Sequence, residues 1–379
     1  MNKKDLALLR DFMHRDNTGS SHHLALLRGL AEITVEFDHL AQRRNANELT
    51  LPLGLLVWKW ALYYFPIAAH DLTQATGTGP RGGFLAGLRK VTLYYRERGG
   101  CEAFCRDLRR GGVDGAITRD LIIVLRRIRD TLEDVLQQSG AAAARGKYRL
   151  LCYNRDTRHI MEVTRPERIN LEFLIQNFGT FNIRRNFYEA LRGCADFITG
   201  TGSVIYQWAR FTAEAGGRDA PALNHALAVI STPALRREDT AMARGIYEQI
   251  AQHGVDLRCV WTGRTLDRST LAIDHVIPFS LVPNNDLWNL MPCHQGANLR
   301  KGECIPSASL LSTRARIIQD YWALSRDFHR ALFDLQFRTA LAGFDVKNFE
   351  IRWAEAGLTA LKARCRALSD QRGGAVWSG

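Results

Sequence analysis

The sequence predicts a mostly α-helical chain carrying one small strand–turn–strand–helix module near its C-terminal end. Two observations carry this. Apolar residues recur at helical spacing along most of the chain, in residues 5–13, 23–40, 83–98, 118–138, 309–335 and 348–368. Residues 272–301 break that period. A short strand-forming run, AIDHVIPFS (272–280), leads into a Pro/Asn turn cluster, VPNN (282–285); NLMP (289–292) offers a returning strand, and helix formers follow Gly296.

Taken in order, residues 1–146 read as a helical domain. Residues 51–69, LPLGLLVWKWALYYFPIAA, approach the length of a membrane span, but Lys59 sits in the middle and Pro52 and Pro66 bracket the run. A buried, aromatic-rich core helix is the favoured reading, ahead of a base-stacking surface built from Trp58, Trp60, Tyr63 and Tyr64. Residues 118–138 have one apolar and one basic face. The glycine-rich GTGPRGG (77–83) lacks the Lys-Ser/Thr ending of a phosphate-binding loop and reads as a connector. The hinge-like GAAAARG (140–146) marks a boundary. Residues 147–253 read as a hairpin, with strands at 148–153 and 159–163, followed by helices, the last stopping at Gly254. The module occupies residues 254–306. Residues 307–379 form helices that pack on the preceding region, with Tyr321, Trp322, Phe328, Phe333 and Phe337 as a core stripe.

The formal net charge is +12. Such a balance favours polyanionic partners, nucleic acid first. Eight cysteines at irregular spacings do not form a disulfide framework, which fits a reducing, cytoplasmic setting. Cys101 and Cys105 read as buried thiols more readily than as a metal clip. The first residues, MNKKDLALLRDFMHRD, are amphipathic without a signal-peptide core, and no membrane association is expected.

The ordered set Asp274–His275, Asn289, Asn298 and Lys301, with Ile273, Ile277, Pro278, Leu290 and Pro292 around it, resembles the HNH (ββα-metal) endonuclease family over about residues 259–305. Each residue has a bland alternative: a satisfied core histidine, a turn asparagine, a helix cap or a solvated lysine. Their joint occurrence in family order favours the nuclease reading. Hydrolysis of a phosphodiester needs an attacking water, relief of phosphate charge and a stabilised leaving oxygen. A neutral imidazole can take the water's proton, which suits His275. A hard cation such as Mg²⁺ keeps several waters and takes one or two protein oxygens, which suits Asp274 and Asn298.

The resemblance implies one divalent ion, Mg²⁺ or Mn²⁺, holding the phosphate and the 3′ leaving oxygen, and products with 5′-phosphate and 3′-hydroxyl ends. It implies that Asn289 braces the loop carrying His275, and that Arg300 or Lys301 neutralises a neighbouring phosphate. Many members bind a structural zinc through two CxxC pairs. Here those positions are Cys259 and Thr262, then His294 and Ala297, with Cys293 adjacent. The quartet is broken, so no structural zinc is expected, and Val260, Trp261, Leu290 and Met291 are expected to hold the module by apolar contact. The resulting expectation is a metal-dependent endonuclease acting on double-stranded DNA, in bacterial defence or a mobile element. Two alternatives stand beside it: a catalytically inactive DNA- or partner-binding module, and an effector nuclease whose helical part binds a protein or ligand trigger.

Overall fold

The computed structural model describes residues 3–13, 19–75, 83–142, 149–154, 168–200, 204–217, 220–232, 237, 239–267, 269–342, 346–372 and 375–379. The chain divides into two compact units, Met1–Ala234 and Leu235–Gly379. Residues 147–253 therefore contribute to both. Among the described residues no helix is long and apolar enough to cross a membrane.

The first unit runs α1 (Lys3–Met13), α2 (His22–Glu36), β1 (Gln42–Arg43), β2 (Glu48–Pro52), α3 (Leu53–Ala69), α4 (Phe84–Tyr95), α5 (Gly100–Arg110), α6 (Gly115–Ala142), β3 (Leu151–Asn154), α7 (Leu171–Asn177), β4 (Thr180–Arg184), α8 (Arg185–Gly193), α9 (Ala195–Thr199), α10 (Val204–Ala215) and α11 (Leu223–Ile230). Its centre is α3, buried from Leu53 to Ala68. A helix that is apolar all round has no face to give to solvent, so α2, α4, α6 and α7 enclose it. Lys59 is the exception in composition. Its Nζ lies 2.6 Å from Glu32 and 2.7 Å from Glu36 on α2, and Arg28 reaches Glu32 at 2.9 Å. The buried charge is thus paired on several sides. Trp58, Trp60, Tyr63 and Tyr64 are all buried and offer no base-stacking surface.

Two features of this unit depart from the sequence reading. The helix does not stop at Pro66 but carries it within its last turn. Residues 1–146 are not purely helical, because β2 enters a four-stranded antiparallel sheet of order β1-β2-β4-β3. Strand β3 pairs with β4, with Leu151 opposite Ile183. Residues 159–163 and most of the 140–146 hinge lie outside the described residues.

The second unit contains α12 (Ala241–Gln252), β5 (Leu271–His275), β6 (Leu290–His294), α13 (Gln295–Lys301), β7 (Ile305–Pro306), α14 (Ala308–Thr313), α15 (Ala315–Phe328), α16 (Arg330–Phe337), α17 (Val346–Arg372) and β8 (Val376–Trp377). The expected hairpin-then-helix is therefore β5, β6 and α13. Its apolar centre contains Cys259, Val260, Trp261, Leu290, Met291 and Cys293, all buried. Long helices hold the hairpin through polar contacts to its main chain. Trp322 Nε1 donates to the Trp288 carbonyl at 2.8 Å, Tyr247 Oη donates to that of Leu290 at 2.8 Å, and the Leu287 amide donates to Gln336 Oε1 at 2.9 Å. Of the expected aromatic stripe, Tyr321, Trp322, Phe333 and Phe337 are buried and Phe328 is half-buried. Strand β8 runs parallel to β7, with Pro306 opposite Trp377, which fixes the chain's last residues beside the module.

Candidate active site

Strand β5 brings Asp274 and His275 to its end, opposite Met291 and Leu290 of β6. Consecutive strand residues face opposite ways, and the two side chains meet different partners. Asp274 is only 3% exposed. Its Oδ2 accepts a hydrogen bond from Trp261 Nε1 at 2.6 Å, and Lys301 Nζ lies 3.3 Å from each carboxylate oxygen. The same ammonium donates to the His275 carbonyl at 2.8 Å. Lys301 therefore fastens α13 to the end of β5. Burial pushes the Asp274 carboxyl above its usual range, while Lys301 and the indole donor pull it back.

His275 turns toward the loop between the strands. Its ring nitrogen Nε2 is 2.8 Å from Asn285 Oδ1. An amide oxygen only accepts, so Nε2 carries the proton and Nδ1 keeps the lone pair of a neutral ring. Phe279 meets the imidazole edge-on at 5.5 Å. Burial lowers the His275 pKa, which favours the neutral form.

The loop is itself a buried polar structure. Asn289 is fully buried; its Oδ1 accepts from the Ile277 amide at 2.8 Å, and its Nδ2 donates to the Ile277 carbonyl at 3.1 Å and to that of Asn284 at 3.4 Å. Asn284 and Asp286 bond each other, and Trp288 Nε1 donates to Asp286 at 3.2 Å. Asn289 thus positions the residues that follow His275. On α13, Asn298 is half-buried, and its side chain makes no hydrogen bond among the described residues. It lies three positions before Lys301, so both lie on one stripe of the helix. Arg300 is exposed, whereas Lys301 is buried and turned inward. The cap of α13 is His294, whose Nδ1 accepts from the Gly296 amide at 3.0 Å, so Asn298 is not spent as a helix cap.

The donor set suits a hard divalent cation. Asp274 would offer a carboxylate, already contacted by Trp261 and Lys301, and Asn298 an amide oxygen with no other commitment among the described residues. No group of three or more His, Cys, Asp or Glu able to hold a metal occurs among those residues. Few protein ligands, both oxygen, match an ion that retains water. Cys259 and Cys293 are buried free thiols, and burial raises the Cys293 pKa.

Two participants lay outside the sequence reading of the site. Trp261 was expected only in the apolar core, yet its indole N–H is committed to Asp274. Asn285 was read as a turn residue, yet it orients His275. The one available signal was composition: residues 284–286 are two asparagines and an aspartate, more hydrogen-bonding side chains than a simple turn requires.

Comparison with known proteins assigns the two units separately. Residues 259–307 match the family described as HNH endonuclease, and residues 2–229 match a domain of unknown function, DUF8808. No curated protein and no solved structure matches the chain.

Proposed function

The chain belongs to the family described as domain of unknown function DUF8808 and carries an HNH endonuclease segment; from this premise we propose that it is a metal-dependent endonuclease acting on double-stranded DNA. The observation that supports this most is the joint placement of Asp274 and His275 at one strand end, with the helix bearing Asn298 fastened to that end by Lys301.

In this reading His275 Nδ1 takes the proton of the attacking water as the water oxygen bonds to phosphorus. The bond from phosphorus to the 3′ oxygen breaks, and that oxygen receives a proton from solvent, leaving 5′-phosphate and 3′-hydroxyl ends. Asn285 fixes the ring so that Nδ1 is the basic atom, and Asn289 holds the loop that Asn285 belongs to. Asp274 and Asn298 would hold Mg²⁺ or Mn²⁺, which supplies charge relief on the phosphate and the leaving oxygen. Trp261 and Lys301 hold the Asp274 carboxylate in place. Arg300, exposed on α13, is available to a neighbouring phosphate. By analogy with small HNH enzymes that carry a large helical part, we place the activity in bacterial defence or a mobile element.

The test is incubation of the purified chain with supercoiled plasmid and Mg²⁺ or Mn²⁺, beside a chelator control. Nicked or linear product that requires the ion is the expected result. Intact plasmid under every condition, with DNA still bound, would favour the non-catalytic binding module.

A further inference from the structure

A cavity of about 450 Å³ lies beside the site in the second unit, lined in part by Trp261, Thr262, Arg264, Arg300, Arg314 and Trp377. The catalytic steps above use none of its arginines except Arg300. Three guanidinium groups line it and no Asp or Glu side chain does, with Ser378 and Gly379 sharing the lining. None of the three has an ion pair with an acidic side chain among the described residues. Arg314 is the most committed to the interior, for its Nε is buried and makes no hydrogen bond there. Gly263, at φ 75°, makes room for it, since a Cβ at that position would stand 2.9 Å from Arg314 Nη1. An unpartnered buried guanidinium nitrogen is costly unless something accepts from it. Arginine forks match phosphate oxygens, and Thr262 and Ser309 bring hydroxyls to the same lining, whereas the Thr313 hydroxyl already donates to the Ser309 carbonyl.

Two contacts tie this cavity to the site. Trp261 forms part of its wall and also donates to Asp274 at 2.6 Å. Arg300 projects from α13, the helix that bears Asn298 and Lys301. Trp377, held by the β7–β8 pairing, also lines the cavity and meets Trp261 edge-on at 5.5 Å. The volume is that of a nucleotide-sized site.

We propose that this cavity is a phosphate subsite, in which Arg264, Arg300 and Arg314 take a backbone phosphate of the nucleic-acid strand next to the scissile one. The inference rests on the nuclease reading, because it makes the strand held at Asp274 and His275 continue into the cavity. Occupancy would bear on Trp261, and through it on the carboxylate that Trp261 holds.

The experiment uses the full chain with His275→Ala, in chelator, so that DNA is bound and not cut. Fluorescence anisotropy with a labelled duplex gives the dissociation constant over a range of salt concentrations. Adding Arg264→Gln and Arg314→Gln together should weaken binding and make the log–log salt slope shallower by about 0.9, the value for one phosphate left unneutralised. Arg314→Lys, which keeps the charge, should retain the slope. Arg316→Gln, on the helix that Arg314 leads into but outside the cavity lining, should leave it unchanged. Should the double variant fail to fold in a thermal melt, Arg264→Gln alone, at an exposed position, carries the comparison. A slope and affinity unaltered in folded cavity variants would overturn the subsite. Wild-type cleavage is scored separately on plasmid. Cleavage with an unaltered slope removes the subsite alone, whereas a shallower slope without cleavage supports the subsite and removes the enzymatic reading.

Discussion

Lys301 shows how a motif residue can keep its place and change its expected work. The resemblance implied a basic group for a neighbouring phosphate. In the fold the side chain is buried, and its ammonium is shared between the Asp274 carboxylate and the His275 carbonyl. Removing one partner of a buried pair leaves the other charge uncompensated, at a cost of about 3–5 kcal/mol. Lys301→Met should therefore lower stability by that order in chemical denaturation; a loss of DNA affinity at unchanged stability would restore the phosphate role. Residue types and order were legible in the sequence, because hydrolysis needs a base and oxygen ligands. The direction of Lys301 and the partners Trp261 and Asn285 were not. They depend on how α13 settles on the hairpin and how the loop folds inward, and no local spacing encodes either.

At the scale of elements, helices were legible because apolar periodicity is local; of the first unit's strands β3 was legible, whereas β1, β2 and β4 were not, because their pairing is distant. Glu48 of β2 pairs with Arg184 of β4, with α3, α4, α5, α6 and α7 lying between them in sequence. The segment ELTLP also runs straight into the apolar α3, so the periodic signal hides the strand. Where α3 begins, the packing is closest. A Cβ added at Gly54 would run into the Leu174 carbonyl and adjoining backbone of α7. Backbone cannot rotate away as a side chain can, so Gly54→Ala should destabilise the first unit by at least the roughly 1–3 kcal/mol typical of overpacking. An unfolding midpoint equal to the wild type's would show that α3 and α7 are not packed this closely. Lys59 belongs to the same scale: a single lysine in a buried helix is legible as an anomaly, but its Glu32 and Glu36 partners appear only once α2 and α3 are packed.

For the whole molecule, stability should depend on pH through a half-buried imidazole. His22 lies stacked on Trp60 with centroids 5.4 Å apart, and burial lowers its pKa to about 4. In the unfolded chain an imidazole binds protons near the ordinary value of about 6.5. Between those values the unfolded state holds more protons than the folded one. The contribution is complete above the unfolded value and is lost as pH falls toward the folded value. Thermal unfolding temperature should accordingly decline as pH drops through this window, and His22→Gln should flatten that decline; parallel curves for the two proteins would remove His22 as its source.

The central claim is that His275 is the proton acceptor for phosphodiester hydrolysis, in a site whose cation ligands are separate from it. Single-turnover cleavage of a DNA duplex in Mg²⁺ tests this most directly, when wild type and His275→Ala are compared alongside anisotropy measurements of binding. Loss of the acceptor should slow cleavage by about 10²–10⁴, the usual size of a general-base contribution, with DNA affinity unchanged. Cleavage by His275→Ala at the wild-type rate would contradict the account.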